Sequence, residues 1–276
     1  MRIRRHFGSL FALLLAGLML SFVLSPFVWQ LITALKPAPQ LATLPPLLPA
    51  PPTWEHFAAV LASPGFLRFA LNSVLVATAT VGLAFLLGVP AAYALAKLGI
   101  AGRNLILAVM LVLTMFPAIA NVAPLYLLFI RLGLRDSLFA VVLAHSVFAL
   151  PFAVWVLTHF FQEIPDDLYR AARIDGCSNL GILRRVVLPL AAPGLLSVGL
   201  LVFIFSWNEF LYALTLTASE QARTLPVAIA LFPGLHEVPW GEIAAAAVLA
   251  TLPTVLLMLI FQRRIVSGLT TGAVKG

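Results

Sequence analysis

Residues 137–162 read SLFAVVLAHSVFALPFAVWVLTHFFQ, without one Asp, Glu, Lys or Arg. A bilayer core about 30 Å thick is crossed by about 20 apolar residues in helical form, so this stretch is long enough to span one. Five more runs share its character: 7–35, 69–96, 104–130, 186–208 and 243–262. The six together use most of the 276 residues and leave no room for a large soluble catalytic domain. Composition agrees. The chain is 62% hydrophobic and 10% charged, whereas a soluble domain is about a quarter charged. The expected fold class is an all-α polytopic membrane protein with six transmembrane helices.

The net charge of +7 points either to nucleic acid or to a membrane topology, and placement separates them. With a cytoplasmic N-terminus and six crossings, Arg2, Arg4, Arg5, Lys97, Arg103, Arg170, Arg173, Arg184, Arg185, Arg263, Arg264 and Lys275 face inward. Lys36, Arg68, Arg131, Arg135 and Arg223 face outward. Twelve against five is the positive-inside bias of a plasma-membrane protein with both termini cytoplasmic. No nucleic-acid partner is implied; the partner of the apolar surface is membrane lipid. Cys177 is the one cysteine, which excludes an internal disulfide. It reads as a small residue in a tight turn. The first apolar run is too long for a cleaved signal, and no small-x-small site precedes Lys36, so it is expected to be retained.

Seven prolines between Pro37 and Pro52 exclude a regular helix after the first span. Helical character returns at Thr53-Trp54-Glu55-His56-Phe57, with Thr53 as the N-cap and Trp54 and Phe57 suited to the membrane interface. This outer segment makes residues 1–66 a natural first part, residues 67–262 a five-helix core and residues 263–276 a terminal tail. Pro90, Pro117, Pro124, Pro151 and Pro253 lie inside spans. They are ordinary kinks or the lining of a gated cavity, and the pair seven apart in the third span favours the cavity.

Residues 164–193, IPDDLYRAARIDGCSNLGILRRVVLPLAAP, are the longest polar island and carry four of the seventeen basic residues. Pro165 suits a helix start, and Asp166 and Asp167 suit the positive end of its dipole. Leu168, Ala171 and Ala172 are expected on one face. The two alanines make that face thin enough for close approach by another protein. Gly176 is expected to end the helix. A second helix over 179–187 follows, with Pro189 and Pro193 marking entry to the fifth span. A polar loop with no partner fits the spacing equally well.

These residues resemble the cytoplasmic coupling loop, here 163–190, of binding-protein-dependent ABC importer permeases. That family's pattern is Glu-Ala-Ala, then Asp-Gly, then hydrophobic-Leu-Pro. Ala171, Ala172, Asp175, Gly176, Leu188 and Pro189 match it, and Arg170 stands at the glutamate position. The resemblance extends to Asn72-Ser73, Ala92-Tyr93-Ala94, Pro124-Leu-Tyr126, Leu132-Gly-Leu134 and Trp207-Asn208-Glu209-Phe210, which look like the carbohydrate branch. The tail from Gly268 to Gly276 resembles that of the maltose-type subunit, which enters the ATPase dimer. The resemblance covers about residues 67–276.

The resemblance implies a MetI-like, type I importer core in a bacterial or archaeal inner membrane. It implies ATPase coupling through Leu168, Arg170, Ala171, Ala172, Asp175, Gly176 and Pro189. It also implies an ATPase contact through Gly268, Leu269, Thr270, Gly272 and Lys275. The implied partners are a second permease subunit in a heterodimer, two ATPase subunits and an extracytoplasmic sugar-binding protein. ATP and Mg belong to the ATPase subunits, and this chain binds no cofactor. No Gly-x-x-x-x-Gly-Lys-Ser/Thr motif occurs in it. The implied solute is a di- or oligosaccharide of the trehalose or maltose kind, held mostly by the other permease in the maltose-type importer.

Candidates for the solute path or gate are Asn121, Tyr126, Asn208 and Glu209. The polar side chains His145, Ser146, Trp155, Ser206 and Tyr212 also lie within spans. Glu209 is the only acid deep in apolar sequence. It sits about 27 Å above Ala191 at 1.5 Å per residue, near the outer surface, where pairing with neighbours or with the external binding protein is the expectation. His145 and His159 are expected to be packed or hydrogen-bonded, and no metal spacing links them. A membrane enzyme would need converging ionisable groups, and an ion-coupled transporter would need carboxylates in several spans. A glycerol-phosphate importer would favour basic cavity residues, and the spans hold Lys and Arg only near their ends.

Overall fold

The computed structural model describes the backbone of residues 2–41, 47–232 and 238–271, and the side chains of 12–41, 47–232 and 238–262. Helix α1 (Arg2–Leu35) is followed in the proline-rich segment by the single turn α2 (Ala38–Leu41) and then by α3 (Glu55–Ala62). Next come α4 (Phe66–Lys97), α5 (Arg103–Thr114), α6 (Ala118–Arg131) and α7 (Leu138–Glu163). The polar connection contains α8 (Asp166–Ile174), α9 (Asn179–Ile182), a π-helical stretch (Leu183–Val187) and α10 (Leu188–Leu190). It leads to α11 (Ala192–Asn208), α12 (Leu211–Leu216), α13 (Leu225–Ala230) and α14 (Trp240–Thr271). No strand occurs among the described residues.

Ala12–Leu35, α4, α7 and Trp240–Gln262 are each long and apolar enough to cross a membrane. The third and fifth spans, read as single helices from sequence, are bent pairs: α5 and α6 meet at 92°, and Asn179–Leu190 meets α11 at 81°. Counting each pair as one crossing gives six. Pro117 explains the first bend. It offers no N–H, its φ is held at −61° with ψ at 128°, and it disfavours helical backbone at Phe116. The last turn of α5 tightens instead, with Met115 N–H donating to Val112 O and Phe116 N–H to Leu113 O. Pro189 and Pro193 flank the second bend, at Ala191.

The sixth span also differs from expectation. Residues 263–276 read from sequence as a separate terminal tail, yet α14 continues through them to Thr271. Gly268 alone interrupts that stretch, at a cost of about 1 kcal/mol relative to Ala, and one such residue is too little to stop a helix already propagating.

Residues 1–66 and 229–252 form one unit, and residues 67–228 and 253–276 form a second. In the first, Gln40 and Ala50 exchange two hydrogen bonds, Gln40 Nε2 to Ala50 O and Ala50 N–H to Gln40 Oε1, which clip the proline-rich loop. Thr53 Oγ1 accepts the Glu55 N–H, so the capping acts one residue before the N-cap, Trp54. Trp54 is exposed but Phe57 is buried, so only the first suits an interface. The buried His56 ring faces the Lys36 carbonyl at 2.9 Å and the Glu242 carboxylate at 3.3 Å. It lies so close to Gly241 that a Cβ there would collide with it.

In the second unit, α4, α7, α8, the π-helical stretch and α11 share a core that includes Leu157, Phe161, Ala172, Ile182 and Val198. Helices α7 and α11 approach so closely that a Cβ on Gly194 would lie 2.7 Å from the Phe160 ring. At the predicted outer end, side-chain clamps hold the chain between α12 and α13. Asn72 Nδ2 donates to the Gln221 and Arg223 carbonyls, both at 2.8 Å. Ser73 Oγ accepts the Leu225 N–H at 2.8 Å.

Asp136 completes this clamping. It holds the left-handed backbone (φ +60°) that Asp and Asn tolerate better than most residues. Its N–H donates to Leu216 O at 2.9 Å, and its Oδ1 accepts from the Ala218 and Ser219 amides at 2.8 and 2.9 Å. The Ser219 amide, supported by that of Ala218, holds the Asp136 carboxyl below its ordinary 3.8. A depressed folded pKa contributes stability above the unfolded value, about 3.9, and that contribution is lost as pH falls through the folded value. Asp136→Asn keeps the backbone and removes the charge, so it should cost about 1 kcal/mol at pH 7. The difference from wild type should close below about pH 3.9. Thermal unfolding of both proteins across this range measures it, and a pH-independent gap would count against the charge.

Candidate functional site

Helix α8 begins after Pro165, whose ψ of 132° turns the chain out of α7, and carries Asp166 and Asp167 in its first turn. Its outward face presents Asp167, Arg170, Ala171 and Ile174. Leu168 is 45% exposed and Ile174 85% exposed. Ala172 corrects the sequence reading: it is buried in the core of the second unit, while Ala171, about 100° away round the helix, is exposed. Ala171 thins the exposed surface, and Ala172 lets α8 lie close on the core. Arg170 and Asp167 form a loose ion pair at 4.0 Å, with the Arg170 side chain 72% exposed.

The end of α8 is a Schellman motif. Gly176 N–H donates to Arg173 O, and Cys177 N–H reaches back to Ala172 O. Gly176 has φ +80°, and no atom would lie within 4 Å of a Cβ there. The constraint is therefore backbone geometry, not space. Asp175 is the C-cap, and Cys177 packs against the core as the expected small turn residue.

The second helix is longer and less regular than the expected 179–187. Ser178 caps it by accepting the Gly181 N–H. Five residues later it widens into a π turn, where Leu188 N–H bonds Leu183 O. The cause is Pro189, whose ring would strike the Arg185 carbonyl in a regular helix and whose missing N–H leaves that carbonyl unpaired. Pro189 thus sets the geometry of the bend into α11.

Residues missing from the sequence reading bind this region to the core. Lys97 Nζ donates to Ile164 O at 2.6 Å and to Asp166 Oδ1 at 2.7 Å. The Lys97 hydrogen bond and charge hold the Asp166 carboxyl below its ordinary 3.8. Tyr169 lies 6.4 Å, ring to ring, from Tyr93, and its hydroxyl donates to Asn179 Oδ1. A lysine in the last turn of a predicted span was the available signal, but its acceptors are 67 and 69 positions away.

The four path candidates do not converge. Asn121 lines a cavity of about 340 Å³ at the α5–α6 break, with Leu113, Phe116, Pro124 and Phe148. Phe148 also lines a cavity of about 380 Å³ with Thr114, Phe152 and Phe205. Tyr126 packs against the core formed by α6, α7 and α12. Asn208 donates to Ile204 O in its own helix. Glu209 is consumed by structure: its carboxylate accepts from His145 Nε2 and from the Tyr212 and Ala213 amides, closing the first turn of α12. The buried His145 also meets Ser206 Oγ at 2.7 Å, and Ser206 donates to Thr80. Tyr212 Oη donates to Ala118 O. His159 bonds the Trp155 carbonyl, and Ser146 bonds Val142 O. No metal-binding cluster occurs among the described residues. For the tail, Gly268, Leu269 and Thr270 lie on the α14 backbone, while Gly272 and Lys275 lie outside the described residues.

Gly176→Ala should destabilise the chain by about 1–2 kcal/mol, because a β-carbon disfavours positive φ. Gly176→Asn should lose less, since Asn enters this region more readily. Thermal unfolding of the two variants tests this ranking, and equal losses would show that the turn does not depend on its backbone angle.

Residues 84–271 match the family of the binding-protein-dependent transport system inner membrane component. The chain is 42% identical over 261 residues to the trehalose transport system permease protein SugB of Mycobacterium tuberculosis, covering 94% of this chain and 95% of that one. It is 40% identical over 262 residues to the sulfoquinovosyl glycerol transport system permease protein SmoH of Agrobacterium fabrum, covering 95% and 92%. Its fold matches a chain of a bacterial ABC transporter involved in import of the acidic polysaccharide alginate, with a TM-score of 0.81 at 24% identity, over 95% of this chain and 98% of that one. The apolar spans, the fold and these matches agree: the chain belongs to the binding-protein-dependent transport system inner membrane component family, the permeases of ABC importers.

Proposed function

We propose that this chain is a membrane permease subunit of an ATP-driven importer for a neutral di- or oligosaccharide, of the trehalose or maltose kind. The observation that carries the reading is the exposed face of α8, a strip in which Ala171 and Ile174 lie beside the Asp167–Arg170 pair, on a helix capped at Gly176 and backed by the core. Such a strip fits a groove on an ATPase subunit. The subunit would bind ATP and Mg, and this chain would perform no catalysis. A second permease subunit and an external binding protein complete the machine. Both termini face the cytoplasm, and the tail beyond Arg264 reaches toward the ATPase subunits.

Identity does not separate the neutral trehalose of one relative from the sulfonated solute of another, since the two are 42% and 40% identical. Cavity chemistry favours the neutral class. The two cavities at the α5–α6 break are lined by aromatic and aliphatic groups with Thr114 and Asn121, and by no Lys or Arg. An anionic solute, glycerol phosphate included, would call for a cation there. Ion coupling is disfavoured because Glu209 already accepts three hydrogen bonds. Uptake of labelled trehalose into cells carrying the complete transporter should stop on ATP depletion and persist when the proton gradient is collapsed. The reverse pattern would end the proposal.

Arg170 stands where the family has glutamate, so the facing ATPase position should be acidic or neutral here. Arg170→Glu should lower uptake by about tenfold, the scale of one lost charge-assisted contact. A basic substitution on the ATPase subunit should restore it. Unchanged uptake by Arg170→Glu with the native ATPase would remove Arg170 from the interface.

A further inference from the structure

Lys97 ends α4, and its side chain is only 4% exposed. A lysine at the end of a membrane helix ordinarily extends its ammonium to water. This one turns inward and spends two of its three donors on other elements. One goes to the carbonyl of Ile164, the C-cap of α7, and the other to the carboxylate of Asp166, the first residue of α8. The two acceptors flank Pro165, the single residue about which α8 could pivot on α7. Four residues earlier on the same face of α4, Tyr93 packs against Tyr169, three residues into α8. Helix α4 therefore grips α8 at two successive turns.

The chain itself connects α8 only to α7 and α9. Without Lys97, the packing of Tyr169 and Ala172 on the core would be what limits the freedom of α8 to pivot at Pro165 under a force on its exposed face. The Lys97 ammonium removes that freedom, because tilting α8 away from α4 would strand a buried charge and the Ile164 carbonyl together. The bond to the Ile164 carbonyl is the sheltered half of the contact, whereas Asp166 is 66% exposed and its pairing is weakened by salt. We propose that Lys97 is a positioning residue for energy coupling, the link that makes α4 move with α8. The proposal rests on the reading of α8 as the ATPase-docking helix.

The complete transporter, reconstituted in proteoliposomes, tests it through the number of labelled trehalose molecules moved per ATP hydrolysed. Lys97→Met keeps the length of the side chain and removes both bonds. It should retain the co-purified ATPase subunits and their hydrolysis but lower transport per ATP by about tenfold or more. Lys97→Arg, which keeps the charge and donors, should recover most of the loss. Asp166→Asn, at an exposed position that folding tolerates, should show a smaller loss of about threefold. The double variant should be no worse than Lys97→Met alone, as expected for partners in one contact.

A wild-type transport ratio in Lys97→Met overturns the proposal. So does a fall in uptake matched by an equal fall in hydrolysis and subunit retention, which would mark Lys97 as merely structural. Additive losses in the double variant would overturn it as well. An unmodified chain that retains no ATPase subunit would instead refute the docking role of α8, and this inference with it.

Discussion

Inside a bilayer an unpaired amide or carbonyl finds no water, and each one left bare costs several kcal/mol. The architecture of the second unit follows from how its prolines meet that constraint. At Pro117 the span stops, turns through 92° and restarts. At Pro189 it first widens into a π turn and then bends by 81° beside Ala191. The first break lies beside a cavity and the second beside the packed core at Val187 and Ala191, settings in which such backbone is tolerated. The cavity holding Asn121 exists because α5 and α6 do not continue as one rod.

A polar chain stabilises the same region from within. Thr80, His145 and Ser206 are buried on α4, α7 and α11, and Glu209 joins them where α11 ends. Each polar atom in that chain answers another, which is the condition under which buried polarity stiffens a core and does not weaken it. Glu209 also turns the backbone into α12, whose Tyr212 bonds the Ala118 carbonyl just past the Pro117 break. One carboxylate thereby ties the end of the fifth span to the restart of the third.

Much of this was legible in sequence because it is local. Apolar run length revealed the spans, proline marked the places of bending, and an Asp-Gly pair marked the end of α8. The role of Glu209 as a paired acid near the outer end of its helix was also within reach. What was hidden depends on the third dimension. Helical spacing groups Leu168, Ala171 and Ala172 together but does not say which side the core covers, and Ala172 turned out to be beneath. The partners of Lys97 and of Asn72 lie 67 and 149 or more positions away, with no intervening pattern. The continuation of α14 to Thr271 ran against the glycine content of the tail, because two of its three glycines lie beyond that point.

The exposed strip on α8 has a cost when the chain stands alone. Leu168 at 45% exposure and Ile174 at 85% lie on α8, in the polar connection that follows α7. Apolar side chains so placed are adhesive until something covers them. A copy made in excess of its companions would carry an open adhesive patch, prone to aggregation and recognisable to the cell's proteases. On the docking role proposed for α8, the same atoms that would favour assembly would penalise unbalanced synthesis, and this surface would tie the fate of each copy to the supply of its companions.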